Sequence, residues 1–157
     1  MQKILTCLWF DDQAEGAVRH YASIFKDVKT LEVTRYGENS MGKPGSVMTI
    51  KFSIDGQELM GLNGGPHFKF NEAMSLVVNC ASQAELDELW EKLSAGGSKS
   101  QCGWLKDKFG VSWQIVPVQL MKLLSKKDEA ASGRMMAALM TMKKLDIAAL
   151  ERAYEGT

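Results

Sequence analysis

Few side chains in this sequence are of the types that do chemistry, and they are scattered. Two histidines, His20 and His67, and three cysteines, Cys7, Cys80 and Cys102, make up its whole supply of imidazole and thiol. The cysteines are far apart and odd in number, which fits neither a disulfide framework nor a Cys-x-x-Cys metal or redox pair. A reduced, cytosolic setting is the expectation that follows. Cys102, next to Gly103, could serve as a nucleophile, yet neither a nearby basic partner nor an oxyanion constellation can be identified. A partly buried structural thiol is the simpler reading. His67 stands in Gly64-Gly65-Pro66-His67-Phe68, where it could bind a substrate anion, act as a base, or hydrogen-bond within its loop. His20 sits beside Tyr21 on a helix, at the solvent edge.

The densest stretch is Cys102–Pro117, which holds two of the four tryptophans and a turn built on Asp107 and Gly110. Strand character follows from Val111 to Val116, and Pro117 stops it. Alternation sends Val111, Trp113 and Ile115 to one face and Ser112, Gln114 and Val116 to the other. The first face reads as core, and the second is polar enough to line a cleft. Trp104 and Phe68, in loops and next to or near glycines, are the aromatics expected to line a ligand cavity. Trp9, Phe52, Phe70 and Trp113 are expected in the core.

Those side chains must be positioned by a chain of 157 residues, enough for one domain or for two small halves. Hydrophobic content of 45% and charged content of 24% are ordinary for a globular protein. Nineteen basic residues balance nineteen acidic ones, so no basic footprint for nucleic acid is visible. No apolar run is long enough to span a bilayer, and the amino terminus lacks a signal-peptide pattern.

In order, Lys3–Phe10 reads as a buried strand. A helix follows, with Asp12 and Glu15 spaced as a capping box and Ala14, Val18, Tyr21 and Phe25 as its core stripe. Val28–Tyr36 is a strand. Met48, Ile50, Phe52 and Ile54 alternate along the next, Asp55-Gly56 is a hairpin turn, and Gln57–Asn63 returns. The pattern then restarts with the strand Met74–Cys80. Ser82 and Glu85 form a second capping box, and Leu86, Leu89, Trp90 and Leu93 a second stripe. Short strands are expected through Gln101–Leu105, before the Val111–Val116 strand. Strand–helix–strands thus occurs twice, in residues 2–63 and 73–117. Residues 118–157 turn helical, with Met135, Leu139 and Met142 on one stripe and Asp146 capping the last helix. A tail packed on the domain or on a second subunit is expected there, although methionines could also form an adaptable binding surface.

Cys7-Leu8-Trp9-Phe10-Asp11, Leu62-Asn63-Gly64-Gly65, Phe70-Asn71-Glu72-Ala73-Met74-Ser75, Cys102-Gly103-Trp104 and Asp107-Lys108-Phe109-Gly110-Val111-Ser112-Trp113-Gln114 together resemble the PhnB-like branch of the vicinal oxygen chelate superfamily. That superfamily includes glyoxalase I, bleomycin-resistance proteins and extradiol dioxygenases, and this branch is often labelled 3-demethylubiquinone 3-methyltransferase-like. The resemblance covers the whole chain and implies an α+β fold of paired βαβββ modules with a C-terminal helical tail. It further implies a cleft between the modules, usually completed in a homodimer. In the superfamily's enzymes the cleft holds a divalent metal, bound by His, Gln or Glu from the first and last strands of each module, which polarises two vicinal oxygens.

Carried over, the ligand positions fall on Leu5 or Thr6, on Leu62-Asn63, on Ala73 or Met74, and on Gln114. None is an imidazole or a carboxylate, and neutral amides alone offset a dication's lost hydration poorly. No bound metal and no other cofactor is therefore expected. The methyltransferase label would require a site for S-adenosylmethionine, and Gly61–Gly65 lacks the following helix that a glycine-rich cofactor turn needs. The expected function is small-molecule binding in the cleft, lined by Asn63, His67, Phe68, Trp104 and Gln114, in a cytoplasmic homodimer that contacts neither nucleic acid nor membrane. Two alternatives stand beside it. One is a lyase, isomerase or dioxygenase with a non-standard metal site recruited through His67, Asn63 and Gln114. The other is a dimeric interaction module without a ligand.

Overall fold

The computed structural model describes residues 2–157. The chain divides into two compact units, one ending at Phe70 and one running from Asn71 to Thr157. The first contains β1 (Thr6–Phe10), α1 (Ala14–Ala22), β2 (Val28–Arg35), β3 (Val47–Ile54) and β4 (Gln57–Asn63). Its sheet has the order β1-β4-β3-β2. β1 and β4 run parallel, and the other neighbours run antiparallel. The second unit repeats this plan with β5 (Leu76–Cys80), α2 (Gln83–Ser94), β6 (Ser98–Lys99), β7 (Trp104–Lys106) and β8 (Ser112–Pro117), in the order β5-β8-β7-β6. The α+β fold of twin βαβββ modules is therefore present. Of the range Gln101–Leu105 expected to hold short strands, only Trp104-Leu105 is strand, in β7; β6 comes earlier, and residues 100–103 are the turn between them.

Alternation gives each sheet one face against its helix. In the first unit Leu8 and Phe10 of β1, Ile50 and Phe52 of β3, and Leu59 of β4 are buried, as are Ala17, Val18 and Tyr21 of α1. In the second, Leu105, Trp113 and Ile115 are buried together with Leu86, Leu89, Trp90 and Leu93. Each of the larger aliphatic and phenyl side chains contributes about 1.5–3 kcal/mol by leaving water. The Asp55-Gly56 turn places both residues at positive φ, 47° and 83°, the geometry that joins two strands with least splay.

The helix starts differ from each other. Ser82 and Glu85 form their capping box: the Glu85 amide donates to Ser82 Oγ (3.2 Å), and the Glu85 carboxylate accepts from the Ala81 amide (2.7 Å). Asp12 and Glu15 do not. The residue before α1 is Gln13, which makes no side-chain cap, and the Ala14 amide instead donates to Asn63 Oδ1 at 2.9 Å. The parallel pairing of Phe10 with Asn63 brings the end of β4 to the start of α1, so a strand-end amide satisfies the helix.

After β8 come α3 (Val118–Leu124), α4 (Glu129–Leu139) and α5 (Ile147–Glu155). This tail is packed on the second unit. The amides of Cys102 and Gly103 donate to Met142 and Lys143 carbonyls, each at 2.8 Å. Gln83 donates to the Leu145 carbonyl (3.0 Å) and accepts from the Ile147 amide (2.8 Å). A side chain at Gly103 (φ 84°) would meet the Ile115 carbonyl at 2.9 Å and Leu145 at 3.2 Å, so this close approach needs glycine. Asp146 caps α5 as expected, accepting from the Ala149 amide. Among the described residues no helix is long and apolar enough to cross a membrane.

Candidate ligand site on the second sheet

The site grows from the turn between β7 and β8. Asp107 is 2% exposed, and its carboxylate ties the turn to the strand that follows. Oδ1 accepts from the amides of Phe109 (2.9 Å) and Val111 (3.0 Å), and Oδ2 accepts from Trp113 Nε1 (2.9 Å). Gly110, at φ 89°, closes the turn by donating to the Asp107 carbonyl. Anchoring the indole of Trp113 inward fixes which face every β8 residue takes. Ser112 and Gln114 must then project from the opposite face. The turn itself is plain in the sequence. The link from Asp107 to Trp113 is not, because nothing local says that an acid six residues away will be buried.

On that opposite face the register places Trp104 beside Gln114 and Lys106 beside Ser112. Val77 of β5, half exposed at 52%, flanks Gln114 on the other side. Gln114 Nε2 donates to Ser75 Oγ at 2.9 Å. Lys106 Nζ pairs with Glu72 Oε1. The hydrogen bond from Lys106, more than its charge alone, holds the Glu72 carboxyl below the usual carboxylate range. A hollow of about 420 Å³ opens beside Trp104, lined among others by Glu72, Lys99, Gln101, Lys106 and Ser112, while Gln114 stands next to it, outside its lining. Ser112 is 2% exposed, and its hydroxyl finds no hydrogen-bond partner among the described residues. Ser112 shares the polar face with Gln114, as alternation along the strand predicts, whereas Glu72 and Lys106 lie outside the expected site residues. Alternation from Trp104 reaches Lys106, but only once the register places β7 beside β8.

In the first unit, Asn63 is buried, at 8% exposed, and its amide is hydrogen-bonded through both oxygen and nitrogen. Besides accepting from Ala14, it donates through Nδ2 to Glu15 Oε1 (2.6 Å) and to the Val47 carbonyl (3.1 Å). The loop after it is pinned by aromatic contacts. Trp9 Nε1 donates to the Gly65 carbonyl (2.9 Å), and a Cβ on Gly64 would lie 2.4 Å from the Trp9 ring. Phe68 meets Trp9 edge-on at 4.9 Å and Phe70 meets Phe10 at 5.1 Å, yet Phe68 remains 65% exposed. His67 is exposed at the turn of this loop. The second unit therefore brings Trp104 and Gln114 together, while Asn63, His67 and Phe68 belong to the first.

Comparison with known proteins fits this plan. Residues 2–116 match the model of the 3-demethylubiquinone-9 3-methyltransferase family. A PhnB protein from Bacillus cereus is 37% identical, with a TM-score of 0.68 over 74% of this chain and 100% of its own. This chain belongs to that family, the PhnB-like branch of the vicinal oxygen chelate superfamily. Two more distant structures share its fold. They are a glyoxylase/bleomycin resistance protein/dioxygenase domain from Frankia (19% identity, TM-score 0.50, 74% of this chain and 92% of that one) and the fosfomycin resistance protein FosX from Listeria monocytogenes, complexed with Mn(II) and sulfate (18%, 0.51, 72% and 90%). No curated protein matches the chain.

The superfamily's metal finds a poor donor set in this PhnB-like chain. Among the described residues no three His, Cys, Asp or Glu side chains gather where they could hold an ion. Thr6 lies on the face of β1 shared with the buried Leu8 and Phe10. Leu5, Leu62, Ala73 and Met74 carry no donor, and the Asn63 oxygen is buried and already accepts from the Ala14 amide. Only Gln114 presents an uncommitted carbonyl oxygen. One neutral amide does not make a transition-metal site.

Proposed function

We propose that this PhnB-like protein binds a small organic molecule against the Trp104–Gln114 face of its second sheet, without a tightly held metal. One observation carries the reading: the hollow has an aromatic wall, hydroxyl and amide groups and a lysine, Lys106, whose glutamate partner also lines it, while the positions that hold metal in the superfamily's enzymes are, apart from Gln114, apolar, turned to the core or already hydrogen-bonded. Such a mixture of apolar wall and a few polar groups is what small-molecule sites use to combine affinity with orientation. Methyl transfer finds no support in the chain. Gly61–Asn63 completes β4, and Gly64-Gly65 enters the loop pinned by Trp9 instead of opening a helix around a cofactor.

A thermal-shift screen of small organic molecules, run with and without a chelator, tests the reading. Stabilisation that is unchanged by chelator, together with substoichiometric transition metal in the purified protein, is the expected result. One zinc, nickel, manganese or iron per chain, with binding lost to the chelator, would favour a metal-assisted lyase, isomerase or dioxygenase. A homodimer belongs to the same proposal, and sedimentation at equilibrium should return twice the chain mass.

A further inference from the structure

We infer that the hollow beside Trp104 takes a small aromatic carboxylate, with Lys106 as its counter-charge and Ser112 as its second donor. The inference rests on the reading of this face as a binding surface and specifies the chemistry of the ligand. Lys106 and Ser112 are cross-strand neighbours on β7 and β8, so their side chains leave the sheet side by side. The Ser112 hydroxyl is buried and unpartnered, a cost that a ligand oxygen would remove. Lys106 already holds a carboxylate, that of Glu72, on the short segment before β5, where the Asn71 side chain turns the backbone by accepting from the Ala73 amide. Glu72 is 62% exposed in its side chain, so it can swing into water at little cost. It stands where the ligand's own carboxylate would stand.

Counting charge narrows the class. The other lysine of the hollow, Lys99, is held by both oxygens of Glu91, at 2.8 and 3.0 Å, from outside the hollow, whereas Lys106 meets Glu72 through one oxygen. One ammonium and one hydroxyl remain, which suits the two oxygens of a monoanionic carboxylate better than a phosphate dianion. Trp104, two residues before Lys106 on the same face, supplies a flat apolar wall for a ring. The volume, about 420 Å³, accommodates a ring with short substituents.

The test is a titration of benzoate and of its neutral analogue benzamide, read by the Trp104 indole resonance, on the parent protein and on Lys106→Gln, Glu72→Gln and Ser112→Ala. The parent should prefer benzoate by about tenfold, the usual worth of a charge-assisted hydrogen bond. Glu72→Gln should tighten benzoate several-fold and leave benzamide unchanged, because it removes the internal competitor. Lys106→Gln should abolish the preference, Lys106→Arg should retain most of it, and Ser112→Ala should weaken benzoate about threefold. Equal binding of both probes, unaltered by Lys106→Gln, would overturn the carboxylate assignment and leave the binding surface standing. If neither probe nor a neutral fragment set moves the Trp104 resonance, the binding surface falls too.

Discussion

The two units share one order of elements and put their strand amides to opposite uses. In the first, Asn63 at the end of β4 turns toward the helix and is spent satisfying the start of α1. In the second, α2 carries its own capping box, Ser82 with Glu85, and asks nothing of the last strand. Gln114 stands three residues before the end of β8, at the position that Met60 holds in β4, and alternation turns it to the other face, beside Trp104. The position that matches Asn63 is Pro117, which has no side-chain amide to lend to α2. Register and alternation together separate a strut from a site.

Substitutions can break or sharpen that contrast. The largest effect should come from Asp107→Ala, which strands the Trp113 indole and two backbone amides and should cost about 3–5 kcal/mol in chemical denaturation. Asp55→Asn, in the exposed turn of the first unit, should change stability by no more than about 0.5 kcal/mol, since asparagine tolerates positive φ equally well. Asn63→Leu should cost about 2–3 kcal/mol through the unsatisfied Ala14 amide and Val47 carbonyl, whereas Gln114→Leu should cost less than about 1 kcal/mol. Equal costs for the two amides would make Gln114 a strut as well and erase the distinction. Ser82→Ala should cost about 1 kcal/mol, the usual value of a lost cap.

The smallest effect at neutral pH concerns the thiols. Partial burial raises the thiol of Cys7 in β1 although the residue remains exposed, whereas burial, with the nearby Glu85 charge adding to it, pushes the Cys80 thiol up from 9.0 to about 12. Between those values the unfolded chain releases a proton that the native chain keeps. The contribution of Cys80 is therefore whole below about 9 and is lost as the pH rises toward about 12. Alkylation at pH 8 should label Cys7 in the native protein and reach Cys80 only after unfolding. Rapid labelling of native Cys80 would show β5 to be open.

Much of this was legible in residue patterns. The doubled strand–helix–strands order, the inward Trp113 and Ile115, the Ser82–Glu85 box and the Asp146 cap all arise from short-range periodicity and capping chemistry, which sequence displays directly. What escaped depends on pairing between distant strands. Asp12 and Glu15 have the spacing of a cap, but parallel pairing of β1 with β4 delivers Asn63 to the same amide first. Asn63 was therefore expected to face a ligand when its burial was a matter of β-register. Lys106 and Glu72 are hidden for the same reason. Each is an ordinary polar residue until β7 lies against β8 and the segment at Asn71 folds back over both. His67 shows a further limit, because a loop pinned by Trp9 and Phe68 leaves little in sequence to indicate that its imidazole ends up in solvent.

The most direct test follows the side-chain amide resonances of Asn63 and Gln114, with the Trp104 indole, while a set of small organic molecules is titrated in the presence of a strong chelator. The account predicts that Gln114 and Trp104 shift and saturate together while Asn63 stays still. Gln114 and Trp104 remaining silent under chelator and responding only once a divalent ion is added would contradict it.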